Sequence, residues 1–409
     1  MFDAQKQTLK NGIKLVTIKR DTQTVAVHAG IKIGPLFEDR DEKGISHFVE
    51  HMLFKGTKLN NNEKLNLYLE NLGGDYNAYT DNNCTVFSVT NLAEELDNSM
   101  KLLADMLRNS IFDAKELEKE REVILSEIRT SKDDIEECSF IKVNQIGFKN
   151  SSLKYGVIGS QESVKGFTRD QLISFYQKYY VPNNCYLSIV SPFDHKFVQE
   201  VVNKYFSSWD FKEFKRLEVV IEDNIPLKKT TNRNNIEQST IIYLYTFHGL
   251  SSDEELALKI FNHKFGVSAN SILFRELREK RGLAYDVYSD VDMTEKVKTL
   301  YIYTAVSSEN IEKTQEVINE CISNILNETI IFDETTINLM KKVLKTAVAF
   351  TLEDSTDIGN YVMHQILDDE NIMQFITDMK KLENIKKEDL YSCAKKVLKD
   401  PTIHIFAGN

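Results

Sequence analysis

His47, Glu50 and His51 fall within five residues of one another, in the stretch GISHFVEHMLFKGT at 44–57. At about 100° per residue, a helix would put Ile45, Phe48, Val49, Met52 and Leu53 on one face and His47, Glu50, His51 and Phe54 on the other. Two imidazoles at i and i+4 project from the same side and can grip one metal ion. The Glu50 carboxylate lies one turn from the first and adjacent to the second. The spacing suits zinc, which takes neutral imidazole nitrogens at about 2.0–2.1 Å and keeps a position open for water when it is catalytic. Glu50 then reads as a general base rather than a ligand. An amphipathic helix with two incidental histidines fits the same five residues, and the short pattern does not decide between them.

A second stretch, 114–130, reads as a helix with Leu117, Ile124 and Ile128 as its apolar stripe. Glu120 and Glu127, seven apart and so nearly superposed along the axis, lie on the edge of that stripe, with Val123 on their other side. Carboxylates set against an apolar face need partners, because an unpaired buried charge is costly. A metal site would provide one. A solvated edge of ion pairs among Glu116, Lys119, Arg121 and Glu122 is the alternative for so charged a helix.

The elements around these residues read as α+β. Asn11-Gly12 is a turn signal, 13–19 alternates apolar and polar residues, and 25–32 repeats the β pattern before the helix at 44–54. A helix at 62–72 closes on Gly73-Gly74, and strands at 75–80 and 85–90 flank a polar turn. A helix at 93–110 precedes the acidic one. Further on come a helix at 168–180 with a Thr168/Gln171 capping box, a strand at 185–190 and a helix at 194–206. Periodicity then lapses, which marks an interdomain linker at 213–235 between halves at 1–212 and 236–409. The second half repeats the plan of the first. IFDAKELEKEREVILSE from Ile111 returns as IFDETTINLMKKVLKTA from Ile331 at an offset of 220, which sets Met340 on Glu120 and Ala347 on Glu127. QLISFYQKYYVPNNCYLSIV from Gln171 returns from Asp389 at an offset of 218. The strand at 240–247 and helix at 252–265 stand where 25–32 and 44–54 should correspond, without counterparts of His47 and Glu50. The chain therefore reads as a duplicated α+β unit, each half a mixed or antiparallel sheet covered by helices, with polar chemistry kept in one copy.

Composition excludes several classes. With 42% hydrophobic and 28% charged residues in 409, no apolar run of membrane-spanning length and no signal-peptide pattern, the chain reads as a cytoplasmic globular protein. A net charge of −11 argues against nucleic acid and anionic membranes as partners and favours basic or neutral ligands. The five cysteines are scattered, without disulfide or metal-ligand spacing. His28, His195, His248, His263, His364 and His404 are isolated and read as surface or core residues.

Taken together, His47-Phe48-Val49-Glu50-His51, the following Met52-Leu53-Phe54-Lys55-Gly56-Thr57 and the EREVILSEI pattern resemble the pitrilysin-type zinc peptidases, the inverzincins, whose signature is H-x-x-E-H. The likeness extends through almost the whole chain and is greatest to the bacterial relatives of the mitochondrial processing peptidase. It implies one Zn²⁺ per chain, held by His47, His51 and Glu127, the last lying 76 residues beyond His51. Catalysis would rest on Glu50 as the base that activates zinc-bound water, with Glu120 supporting the site. The stretch GGDYNAYT at 73–80 would be the edge strand to which an extended peptide adds, making Asn77 and Ala78 substrate contacts. FRELREKRGLAY at 274–285 resembles the family's substrate-holding segment and assigns that role to Arg278 and Tyr285. An ordinary basic helix capped by Gly282 is what those residues suggest by themselves. The implied activity is endopeptidase cleavage of extended peptides within a clamshell chamber, with a homodimer supplying two sites. A non-catalytic or partner-dependent subunit of a processing-peptidase-like heterodimer is the alternative.

Overall fold

The computed structural model describes residues 2–234 and 236–408. Met1 and Asn409, the ends of the two expected halves, and Asn235, the end of the expected linker, lie outside the described residues.

Contacts divide the chain into two units that are not continuous in sequence. One comprises Met1–Arg129, Gly156–Glu218 and Ala349–Ile372, the other Thr130–Tyr155, Val219–Val348 and Met373–Asn409. The halves at 1–212 and 236–409 thus differ from the packed units in two helices. Ile135–Gly147, from the first half of the sequence, packs in the second unit, and Ser355–Leu367, from the second half, packs in the first. Two of the five passages between units fall inside long helices, Ala114–Asp133 and Glu334–Glu353.

In the first unit, six strands make one sheet: β1 (Asp3–Thr8), β2 (Lys14–Lys19), β3 (Thr24–Ile31), β4 (Asp75–Thr80), β5 (Thr85–Leu92) and β6 (Cys185–Ser191). Their order is β1-β2-β6-β3-β5-β4, with β2 and β6 parallel and every other pair antiparallel. The Asn11-Gly12 turn does make a hairpin, joining β1 to β2. However, β6 enters between β2 and β3, so the two strands expected near the start are not neighbours. The polar strand β1, DAQKQT, lacked the alternation that would have announced it, as an exposed edge allows. β3 and β6 are buried nearly throughout, and their runs of apolar and small residues suit the centre of a sheet covered on both faces. The helix Ser355–Leu367 lies against both of them, and the helix Leu96–Asn109 against β3 and β5.

The second unit repeats this order with five strands, β7 (Leu227–Arg233), β8 (Ser239–Thr246), β9 (Ala284–Asp292), β10 (Thr299–Val306) and β11 (Thr402–Gly408). The sheet runs β7-β11-β8-β10-β9, β7 and β11 parallel. Strand for strand this is β2-β6-β3-β5-β4, so the duplication read in the sequence is present in three dimensions. β7 occupies residues assigned to the linker. Its sequence, LKKTTNR, sits on an exposed edge and carries no apolar alternation, which leaves 213–226 as the irregular part. Helix Ile135–Gly147 covers β8 and β11 as Ser355–Leu367 covers β3 and β6. The two exchanged helices have 13 residues each, are related by the same offset of 220, and start on equivalent caps, Asp134 and Asp354, each accepting two amide hydrogen bonds.

Candidate metal centre

Helix Ile45–Leu53 buries Ile45, Phe48, Val49, Met52 and Leu53 completely, the face expected to be apolar. The opposite face therefore carries His47 and His51 outward to the acidic helix Ala114–Asp133, whose own stripe of Leu117, Ile124 and Ile128 is buried. His47, His51 and Glu127 come together there. Their ligand atoms lie within 4.8 Å of one another, the one group of metal-ligating geometry among the described residues. Glu127 Oε2 is 3.9 Å from His47 Nε2 and 3.7 Å from His51 Nε2. A tetrahedral zinc site with bonds of about 2.0–2.1 Å separates its ligands by roughly 3.4 Å, so each histidine need approach Glu127 by only a few tenths of an ångström to reach that spacing. Two imidazoles and a carboxylate with a fourth position left open are the donor set of a catalytic rather than a structural zinc site.

Glu120 has a different place. Its Oε2 lies 3.1 Å from His51 Nδ1 and its Oε1 accepts from Lys55 Nζ at 2.8 Å, so it holds the nitrogen of His51 turned away from Glu127. A carboxylate behind a ligand histidine fixes the ring's orientation and tautomer. Burial raises the Glu120 carboxyl, but the His51 and Lys55 hydrogen bonds outweigh it and the group ends below its usual range. The two histidines diverge. Burial and the neighbouring His51 take His47 down to about 3, which keeps it a neutral donor; burial also lowers His51, but Glu120, Glu127 and Glu50 raise it further than burial lowers it. The same three carboxylates make the spot attractive to a cation.

Glu50 is 8% exposed, and burial pushes its carboxyl upward against the pull of Thr80 and His51. Thr80 Oγ1 donates to Glu50 Oε2 at 2.5 Å. Thr80 ends β4, the free-edged strand that also carries Asn77 and Ala78. Asn77 Oδ1 turns back on the Ala78 amide at 2.9 Å, and its side chain is exposed. Tyr79, the next residue along, is held by Asn360 and His364 of the exchanged helix, its hydroxyl 2.7 Å from Asn360 Oδ1 and 2.9 Å from His364 Nε2. The sequence singles out His47, Glu50, His51, Glu120 and Glu127 but not the contacts that Thr80 makes to Glu50, Lys55 to Glu120, and Tyr79 to Asn360 and His364. Each acts through a contact between separate elements, which no local spacing records.

Arg278 and Tyr285 lie in the second unit. Arg278 is in a π-helical turn, Arg275–Glu279, and Tyr285, 71% exposed, is near the start of edge strand β9. The guanidinium stands 5.4 Å from the Tyr285 ring and 5.0 Å from that of Phe274, so the residues do form a pair. The segment is not the regular basic helix its composition suggested: a second π-helical turn, His263–Val267, precedes it.

Known proteins resemble this chain over most of its length. Residues 14–161 match the family model described as insulinase (peptidase family M16), and residues 166–344 match that of the peptidase M16 inactive domain. A Rickettsia felis protein named as an uncharacterised zinc protease is 30% identical over 98% of this chain and 96% of its own length. The mitochondrial-processing peptidase subunit beta of Caenorhabditis elegans is 26% identical over 88% of this chain and 80% of its own. Among solved structures, that of a protease from Helicobacter pylori superposes with a TM-score of 0.92 at 19% identity, over 99% of both chains. No helix among the described residues is long and apolar enough to cross a membrane. With a family model on each half and a relative of this similarity spanning nearly its whole length, the chain belongs to the insulinase family of zinc peptidases, M16.

Proposed function

We propose that this chain is a zinc-dependent endopeptidase that cleaves extended peptides. The observation that carries this reading is the convergence of His47, His51 and Glu127 beside a buried Glu50, with the free edge of β4 leading directly to that carboxylate. Zinc held by these three residues would supply Lewis acidity towards a peptide carbonyl and would make a nearby water more acidic. The protein's own groups do the rest. An extended peptide adds to β4 by backbone hydrogen bonds, with Asn77 and Ala78 among its contacts, which selects main chain rather than particular side chains. Glu50 takes the proton of the attacking water and returns it to the leaving amine. Thr80 occupies Oε2 of Glu50, which leaves Oε1 for that transfer. Glu120 orients His51, and Lys55 compensates the charge of Glu120. Arg278 and Tyr285 serve as substrate contacts, and the active form is a homodimer acting on basic or neutral peptides.

The test is hydrolysis of a quenched fluorescent peptide by wild type and Glu50→Gln, with metal content measured on both. Glu50→Gln should retain about one zinc per chain and lose roughly 10²–10⁴-fold in kcat, the range for removing a general base. Wild type that binds zinc but cleaves no peptide would favour the non-catalytic subunit instead. Light scattering at one chain mass would remove the homodimer.

A further inference from the structure

The helix that carries both histidines begins without a cap of its own. Its first flanking residue, Gly44, has φ +95°, and a Cβ there would come within 2.7 Å of Gly159 Cα and 2.8 Å of the Ile158 carbonyl oxygen. No side chain fits, so the Ser, Thr, Asp or Asn that ordinarily satisfies the first amides of a helix cannot stand at this position.

The missing oxygen arrives from outside. Glu38, 3% exposed, accepts from the Gly44 amide through Oε2 at 2.9 Å and from the Ser46 amide through Oε1 at 2.8 Å. Both oxygens are thus committed to backbone donors, an arrangement that calls for the ionised carboxylate. Burial pushes the Glu38 carboxyl upward against these two amides and the nearby positive charge of Lys43, itself 6% exposed, whose Nζ donates to the main-chain carbonyls of Pro35 and Glu38 at 2.7 Å each. The carboxylate also sits at the positive end of the helix dipole, where a negative charge is favoured.

His47 lies in the turn these contacts fix, three residues after Gly44. Unlike His51, which Glu120 holds by Nδ1, His47 has a buried Nδ1 with no hydrogen-bond partner among the described residues. Its ring packs edge-on against that of His51, centroids 4.6 Å apart, and no hydrogen bond at Nδ1 among the described residues helps to hold it, so the backbone of this turn carries more of its orientation. We propose that Glu38 is a positioning residue of the metal centre, the carboxylate that sets the first turn of the histidine helix and thereby aims His47 at Glu127. The proposal rests on the zinc-peptidase reading but concerns Glu38, which is not among the candidate ligands, so the two can fail separately.

The experiment compares Zn²⁺ affinity of wild type, Glu38→Gln and Glu38→Asp, by competition with a chromogenic chelator, together with melting temperature of the metal-free proteins and peptide hydrolysis at saturating zinc. Glu38→Gln, which puts an NH₂ against one of the two amides, should bind zinc about 10–100-fold more weakly, the range for losing an outer-shell support. Its kcat should fall at saturating zinc with KM within about twofold of wild type. Glu38→Asp, which keeps the charge but shortens the reach, should fall between. In wild type, the Gly44 and Ser46 amides should exchange with deuterium slowly in both the metal-free and zinc-loaded protein. A folded Glu38→Gln or Glu38→Asp with wild-type zinc affinity, even if less heat-stable, would reduce Glu38 to a structural cap and overturn the proposal. Should neither variant fold, rapid exchange of the Ser46 amide in metal-free wild type would overturn it, and slow exchange would support it. Wild type that binds no zinc at all would refute the peptidase reading itself.

Discussion

In both units a central strand, a helix and an edge strand follow one another: β3, Ile45–Leu53 and β4 in the first; β8, Ser252–Asn262 and β9 in the second. In both, a 20-residue helix comes later in the chain, Ala114–Asp133 or Glu334–Glu353. Yet where the first places buried Glu120 and half-exposed Glu127, the second places buried Met340 and exposed Ala347, and Ser252–Asn262 carries no histidine. The same scaffold closes with a thioether where the other copy holds a carboxylate. The polar constellation is therefore not what the fold requires; it is a local cost borne by one copy, and a cost of that kind marks function.

The largest test of this comparison makes the first unit resemble the second. Glu120→Met with Glu127→Ala should abolish stoichiometric zinc binding and peptide hydrolysis, as read by metal analysis and fluorogenic turnover. The metal-free double variant should stay folded with a modestly lower melting temperature, because losing Glu120 leaves Lys55 and His51 without their partner while relieving the repulsion among Glu50, Glu120 and Glu127. A large fall in the melting temperature of the metal-free protein would mean that the carboxylates hold the fold together, and the contrast would lose its meaning.

A second, smaller test concerns the exchanged helices. Gly359 in the first unit faces His28 of β3, and a Cβ there would stand 2.4 Å from the ring nitrogen Nδ1. At the equivalent place in the second unit Ser139 bonds to Thr240 of β8 at 2.6 Å. Gly359→Ala should destabilise by about 1–3 kcal/mol in urea unfolding, the usual penalty for overpacking. Gly359→Ser combined with His28→Thr, the second unit's pair, should recover most of that loss; a double-mutant cycle showing simple additivity would mean the two contacts are not equivalent.

The smallest effect is acid sensitivity. Burial, reinforced by His364, holds His28 down to about 4, against about 6.5 in an unfolded chain. Between those values the unfolded state binds the extra proton, so stability falls as pH drops from about 6.5 to about 4 and the contribution then levels off, at no more than roughly 3 kcal/mol. His28→Thr should flatten the pH dependence of the melting temperature in that window. An unchanged slope would place the acid sensitivity elsewhere, His404 being the next buried histidine held low.

The sequence and the structure agree where the signal is local. The histidine helix, the paired strands at 75–80 and 85–92, and the Thr168/Gln171 capping box follow from spacing and turn chemistry within a dozen residues. Glu127 entered as a ligand only through the family resemblance, since its spacing from Glu120 on so charged a helix fits a solvated edge of ion pairs as well. What escaped is either polar at an edge or nonlocal. β1 and β7 expose too much of themselves to need apolar alternation. Nothing in ECSFIKVNQIG says which sheet it will cover, since its neighbours β8 and β11 begin about a hundred and about 265 residues later. Glu38 stayed unread for the same reason: a glutamate six residues before a glycine has no meaning until the helix start it serves is known.

The exchange of helices has a consequence for the order in which the protein can be made. The sheet of the first unit has all its strands once residue 191 has left the ribosome, but the face that β3 and β6 offer to Ser355–Leu367 must wait for about 176 further residues. At about 5–20 residues per second, that apolar surface stands open for roughly 10–35 s of synthesis. Nascent chains stalled before residue 355 should therefore expose a surface that chaperones bind, and those stalled well beyond residue 372 should not.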